Sequence, residues 1–246
     1  MDEVWVVRCG HVPYAYAREA QQALEEARYA GKIPDLLLLL EHPPVYTKGR
    51  RSTDDELPMG EDWYRMQGID VTGTDRGGRV TYHGPGQLVG YPIVSLTPYG
   101  DDVHEYVRRM ERVMIGALGD WGVEAGVIEG LTGVWTDPED PATRRKIGSI
   151  GVHVNRGITT HGFAINVNND LQPFEWIVPC GIDACRMTSL TRELGTEQDL
   201  HGFATTVSER FGEIYGRAPR EVASAQLSEL VDGVGALVNE APAPVR

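Results

Sequence analysis

A chain of 246 residues with 41% hydrophobic and 24% charged side chains is long enough to bury one sizeable core and too even in composition for disorder. Its formal net charge of −13 argues against general nucleic-acid affinity, which rests on cationic neutralisation of phosphates. No apolar run approaches the roughly 18 residues of a membrane span, and the first residues lack a basic stretch followed by an apolar one, so a cytoplasmic chain meeting neither membrane nor nucleic acid is expected.

The elements read as follows in chain order. Residues 4–9 form a strand, and residues 13–30 a helix with Ala17, Ala20, Leu24 and Ala27 on one face, stopped by Gly31. Residues 36–40 are a buried strand. Residues 43–68, rich in Pro, Gly and charge, read as loop with a short helix; strands at 80–82 and 88–95 then flank Gly84-Pro85-Gly86. The clearest helix runs over 103–121, capped by Asp101 or Asp102, with Val103, Tyr106, Met110, Val113, Ala117 and Trp121 as its apolar stripe. Strands at 133–136, 147–154 and 160–167 follow, with an exposed loop at 137–145, then helices at 203–215 and 222–237. The irregular alternation predicts an α+β fold, a mixed β-sheet packed with helices. One domain is expected over 1–217, with 218–246 a C-terminal helical extension and frayed tail.

Three cysteines, Cys9, Cys180 and Cys185, are too few and too irregular for a disulfide framework, and no second Cys/His pair at zinc-site spacing accompanies them, so no metal is expected. Cys9, within an apolar strand, reads as structural. Cys180 lies between Pro179 and Gly181, which leaves its thiol sterically open and offers following amides to an oxyanion. A buried structural cysteine is the competing reading. Cys185 has polar neighbours and a reachable thiol.

A cysteine nucleophile acts as its thiolate, and an ordinary thiol with a pKa of about 8.5 is mostly protonated at neutral pH. A nearby ammonium lowers that value as a histidine does. Lys146, at the start of a small-residue strand, is the candidate, against the reading of a solvated strand-end lysine. The segment Arg76-Gly77-Gly78-Arg79-Val80-Thr81-Tyr82-His83-Gly84-Pro85-Gly86-Gln87 packs four glycines among two arginines and a histidine. Its glycines permit close approach of a ligand to the backbone, and a hairpin that merely needs glycine explains them equally well.

Five ordered blocks resolve these alternatives: Glu41 through Thr47, Arg76 through Gln87, Lys146-Ile147 with Ser149-Ile150-Gly151, His161 through Val167, and Pro179-Cys180-Gly181 with Thr188-Ser189-Leu190. Together they resemble the lipoyl(octanoyl) transferases of lipoate synthesis, also called lipoate-protein ligase B, over roughly residues 36–194. The resemblance implies a biotin/lipoate ligase-like catalytic core and an acyltransferase needing no cofactor. In it Cys180 carries the acyl group as a thioester, and Lys146 lowers its pKa and shuttles protons. It further implies that Arg76, Gly77, Gly78, Arg79, Val80, Thr81, Tyr82, His83, Ser149, Ile150, Gly151, Gly162, Phe163 and Ala164 line the acyl and pantetheine site, with His161 and His153 behind them.

By the same resemblance the donor is octanoyl-acyl carrier protein, the acceptors are lipoyl domains of dehydrogenase complexes and the glycine cleavage H protein, and the enzyme works as a monomer. Arg50, Arg51, Arg79, Arg144 and Arg145 are candidates for a basic rim that meets an acidic carrier. The alternatives are an ATP-dependent lipoate or biotin-type protein ligase of the same fold, and a cysteine thioesterase or amidase. The chain departs from the family pattern in the charged loop 137–145, in Cys185 and Met187, and after about residue 217.

Overall fold

Residues 3–177 and 185–238 are described in a computed structural model, and they form an eight-stranded mixed sheet and a three-stranded one. The chain opens with β1 (Glu3–His11), α1 (Tyr14–Tyr29) and β2 (Leu36–Glu41). It passes through β3 (Val45–Lys48), α2 (Glu61–Met66), β4 (Asp70–Gly73) and β5 (Thr81–His83) to β6 (Gln87–Ile93) and α3 (Val103–Asp120). A meander follows: β7 (Gly126–Ile128), β8 (Leu131–Thr136), β9 (Arg145–Asn155) and β10 (Ile158–Asn166). The last elements are α4 (Gln172–Glu175), α5 (Leu190–Leu194), α6 (Leu200–Tyr215), β11 (Ala218–Glu221) and α7 (Ser224–Leu230).

The large sheet runs β11-β1-β2-β6-β10-β9-β8-β7, with β11, β1 and β2 mutually parallel and the remaining neighbours antiparallel. Its two faces explain the unbroken leucine run of β2. Leu37 and Leu39 enter the core beneath α3 and α6, whereas Leu36, Leu38 and Leu40 enter the core beneath α1 and α7. A strand covered on both sides needs no polar alternation, and each leucine so buried contributes about 1.5–3 kcal/mol. Helix α3 turns Tyr106, Met110, Val113, Met114, Ala117 and Leu118 inward, and the Asp102 carboxylate caps it by accepting from the N–H groups of His104 and Glu105 at 2.8 and 3.1 Å.

The small sheet, β4-β3-β5, has its own core of Tyr46, Tyr64, Val71, Tyr82, Phe174 and Met187. Its strands lie partly where the sequence reads as loop, because four-residue strands bounded by Pro and Gly carry too little alternation to detect. Nor is Gly84-Pro85-Gly86 a hairpin: it hands the chain from β5 in the small sheet to β6 in the large one. Gly86 sits at φ +83°, where an added Cβ would lie 2.7 Å from the Asn169 nitrogen, and its N–H donates to Glu41 Oε2 at 2.6 Å.

Beyond Arg217 the chain first adds β11 to the edge of the large sheet, a strand the sequence did not announce. The helix expected over 222–237 is interrupted: α7 ends at Leu230, Gly233 takes φ +87°, and a 3-10 turn spans Gly235–Val238. Leu227, Val231, Val234 and Leu237 nevertheless complete the core against α1. The expected frayed tail at 239–246 lies outside the described residues. No helix among the described residues is long and apolar enough to cross a membrane.

Candidate active site

A cavity of about 350 Å³ opens between β9, β10 and the turn at 76–80. It gathers most of the residues expected at the site: Arg76 through Thr81, His83, Lys146, Ser149 through Gly151, and His161 through Ala164. Cross-strand register brings the last two groups together, pairing Gly162 with Gly151, Phe163 with Ile150 and Ala164 with Ser149. The glycine-rich turn lies over the same strands, Gly77 donating its N–H to the Val152 carbonyl at 2.8 Å.

Two expected residues stand elsewhere. Tyr82 packs against Tyr46 and Phe174 in the small core rather than lining the cavity. Period-two alternation is the reason, since Thr81 and His83 on either side face the cavity. His153, paired with Thr160 across the β9–β10 ladder, lines a second cavity instead. Cys180, with Pro179 and Gly181, lies outside the described residues.

Lys146 is 3% exposed, which removes the reading of a solvated strand-end lysine. Its Nζ donates to the Thr132 carbonyl at 3.1 Å and stands 5.3 Å from the centre of the Trp135 ring. The seat depends on Gly133, at φ +115°, where a Cβ would come within 2.8 Å of Lys146 Cε and 2.5 Å of the Gly148 carbonyl. Glu111 on α3 fixes that turn by accepting from the Gly133 N–H at 3.1 Å. The Lys146 main chain is bonded on both sides to the segment following Cys180: its N–H donates to the Arg186 carbonyl at 2.8 Å, and its carbonyl accepts from Thr188 at 2.9 Å.

Arg76 is buried, and its guanidinium makes structural bonds. Nη2 donates to the Thr47 carbonyl at 2.6 Å and to Thr47 Oγ1 at 2.7 Å, and Nη1 to the Gly77 carbonyl at 3.0 Å, which ties the turn to the small sheet. Of the rim candidates, Arg79 is paired with buried Glu56 at 2.8 Å, and Arg145 with Glu193 and Asp137. Arg51 lines the cavity and, like Arg50 and Arg144, is in no ion pair among the described residues.

The buried histidines are neutral. His42 Nδ1 donates to the Val12 carbonyl at 2.6 Å, so its Nε2 accepts from the Tyr91 hydroxyl at 2.7 Å. Burial lowers the His42 pKa to about 4. His83 is pushed well below the usual imidazole range by burial and then by neighbouring His42. His161 Nε2 donates to Asp75 Oδ1 at 3.0 Å, and burial outweighs that carboxylate in lowering its pKa. Cys9 is likewise buried, its thiol pushed up to about 12, as a structural cysteine should be. Sequence reasoning missed Tyr14, Tyr91, Thr132 and Trp135, which come to the site from α1, β6 and β8 and carry no local motif.

With fold and site in place, comparison with known proteins is decisive about family. The lipoyl protein ligase A/B catalytic domain matches residues 13–212, and the chain belongs to that family. An octanoyltransferase of Koribacter versatilis is 44% identical over 214 residues, covering 86% of this chain and 84% of that one. An octanoyltransferase of Rubrobacter xylanophilus is 48% identical over 209 residues, covering 84% and 91%. Among solved structures, a bipartite lipoate protein ligase of Thermoplasma acidophilum superposes with a TM-score of 0.71 at 17% identity, covering 98% of this chain and 99% of that one. That likeness bears out the lipoate-ligase fold.

Proposed function

We propose that the protein is an octanoyltransferase of protein lipoylation, taking the acyl group from octanoyl-acyl carrier protein and delivering it to a lysine of lipoyl domains. The observation that carries this reading is Lys146, a buried residue whose Nζ is held by the Thr132 carbonyl at an acyl-sized cavity and whose main chain is bonded to the segment that follows Cys180. Its relatives at 44% and 48% identity are octanoyltransferases.

In the first half-reaction the Cys180 thiolate attacks the thioester carbonyl. A new carbon–sulfur bond forms, the bond to the pantetheine sulfur breaks, and that sulfur leaves with the proton given up by Cys180. One thioester replaces another, so no ATP is consumed. In the second half-reaction the neutral acceptor amine attacks the acyl-enzyme, an amide forms, the Cys180 sulfur leaves, and the amine's surplus proton returns to that thiolate by way of Lys146. Thioester to amide is downhill and commits the acyl group. The Lys146 charge lowers the thiol pKa and stabilises the oxyanion.

The test is intact-protein mass spectrometry after incubation with octanoyl carrier protein and no ATP. A hydroxylamine-labile octanoyl adduct is expected on the wild type and on Cys185→Ser, none on Cys180→Ser, and slow formation on Lys146→Ala. Adduct that requires ATP would favour a ligase. Adduct that turns over without an amine would favour a thioesterase, and a labile adduct dependent on Cys185 would move the nucleophile.

A further inference from the structure

The large sheet comes apart at the cavity. The ladder between β8 and β9 stops at the Val134–Gly148 pair, although β8 begins earlier, at Leu131, and β9 continues to Asn155. One rung further it would join Thr132 to Ile150. Instead the Thr132 carbonyl accepts from Lys146 Nζ at 3.1 Å. Gly133, at φ +115° and donating its N–H to Glu111, turns β8 aside. The cavity fills the opening, with Gly130, Leu131 and Thr132 on one side and Ser149 through Val152 on the other.

Strand register tells which main-chain groups face that opening. Successive residues of an antiparallel strand send their N–H and C=O groups to opposite edges. Val152 directs its carbonyl away from β10, where it accepts from the Gly77 N–H at 2.8 Å. Ile150, two residues earlier, directs its N–H and C=O to the same edge, so its pairing with Phe163 is one of the pairs in the β9–β10 ladder that exchange no hydrogen bond. With the β8 rung missing, the Ile150 N–H has no main-chain partner among the described residues. Its side chain is engaged elsewhere, against the core beneath α3 and α6.

Lys146 reaches the same edge. A Cβ at Gly133 would stand 2.5 Å from the Gly148 carbonyl oxygen and 3.3 Å from Lys146 Nζ, which places the amine beside Gly148. Ile150 is the next residue to face outward, about 6.6 Å along the strand. Lys146 Nζ and the Ile150 N–H thus flank one end of the opening. Their spacing is on the scale of the roughly 6 Å that a single oxygen bridges when it accepts at about 2.9 Å from each of two donors.

We infer that the Ile150 N–H is a main-chain donor of the oxyanion site and acts beside Lys146. The inference rests on the acyl-transfer reading, which supplies the reacting carbonyl. In each half-reaction sulfur or nitrogen adds to that carbonyl carbon and the π pair moves onto oxygen. The charge returns to the carbon–oxygen bond as the other sulfur leaves. An N–H already engaged in a ladder would have to give up its partner to meet that charge. The missing rung leaves this one preorganised, with its position fixed by β10 on the other side of β9. The donor therefore comes from β9, not only from the amides that follow Cys180.

The test exchanges Ile150 for its α-hydroxy acid by nonsense suppression, which replaces the N–H by an ester oxygen and keeps the side chain. Acylation by S-octanoyl pantetheine is followed by rapid-quench mass spectrometry. The rate at saturation should fall about a hundredfold, and the half-saturating concentration should hardly move, because the bond strengthens only as charge develops. Octanal adds a second readout. Its carbonyl carbon bonds to the Cys180 sulfur, the thiol proton passes to oxygen, and that oxygen takes the oxyanion position. Inhibition by octanal should weaken by a similar factor in the ester protein, whereas inhibition by octanamide, which stays planar, should not.

An ester protein that acylates at the wild-type saturating rate would overturn the donor. So would a loss confined to the half-saturating concentration, which would assign the N–H to substrate binding. Should the ester protein fail to fold, the Ile150 amide resonance of isoleucine-labelled wild type decides: a downfield proton shift with octanal is expected, and an unmoved resonance would overturn the donor. A wild type that no octanoyl thioester acylates would refute the transfer reading and the donor together. Normal wild-type acylation with an indifferent ester protein would refute the donor alone.

Discussion

The side-chain amide of Asn166 donates to the main-chain carbonyl of Thr188 at 2.9 Å, and Thr188 in turn donates its N–H to the carbonyl of Lys146 at 2.9 Å. The run continues the other way: Asn166 Oδ1 accepts from Gln87 Nε2 at 2.9 Å, and Gln87 Oε1 accepts from His83 Nδ1 at 2.7 Å. Carbonyls at Thr188 and Tyr82 can only accept, so both amides have one possible orientation. The glycine-rich segment, the Lys146 strand and the chain that follows Cys180 are thereby fixed to one another through buried polar groups.

Removing the centre of that run should be costly. Asn166→Ala takes one of its two acceptors from the Gln87 amide nitrogen and the side-chain donor from the Thr188 carbonyl, both in the interior, and the unfolding free energy is expected to drop by about 2 kcal/mol in a guanidinium titration. A loss under about 0.5 kcal/mol would mean that the groups find other partners.

Gly133 separates stability from chemistry less cleanly, and both should suffer. Gly133→Ala places a methyl 2.8 Å from Lys146 Cε at a backbone angle of +115°. Stability should fall by about 1–3 kcal/mol, and octanoyl adduct formation followed by mass spectrometry should slow about tenfold or more as the ammonium is displaced. Wild-type acylation in a folded Gly133→Ala would show that the position of Lys146 is not critical.

Acidification should destabilise the protein through its neutral histidines. The folded-state pKa of His42 is lowered to about 4, against about 6.5 in the unfolded chain. The unfolded state therefore binds the proton first. The stabilisation is complete above about pH 6.5 and is lost as pH falls toward 4, by roughly 2 kcal/mol at pH 5 from this residue. His83 is shifted in the same direction and adds to the slope. Urea unfolding between pH 7 and 5 should show the fall, and His42→Gln should be less stable at pH 7 but flatter with pH. An equal slope in that variant would contradict the assignment.

Much of the large sheet is legible in the sequence because its signals are local. Leu36 through Leu40 can only be a strand covered on both faces, and the α3 stripe shows its period directly. Arg76 through His83, Ser149 through Gly151 and Gly162 through Ala164 were recognisable as blocks, and register brings them together. Tyr82 was over-assigned because a motif read as a block ignores which face each residue of β5 takes. Thr132 contributes only a main-chain carbonyl to Lys146, which no side-chain pattern can announce. Trp135, Tyr14 and Tyr91 reach the site through packing between elements distant in sequence.

The activation of Cys180 by the Lys146 charge is tested most directly by the pH dependence of Cys180 alkylation by iodoacetamide, followed by mass spectrometry in a Cys185→Ser background. With Lys146 present, the thiol is expected to titrate clearly below the ordinary value of about 8.5, and in Lys146→Met at or above it. Superimposable profiles for the two proteins would contradict the account.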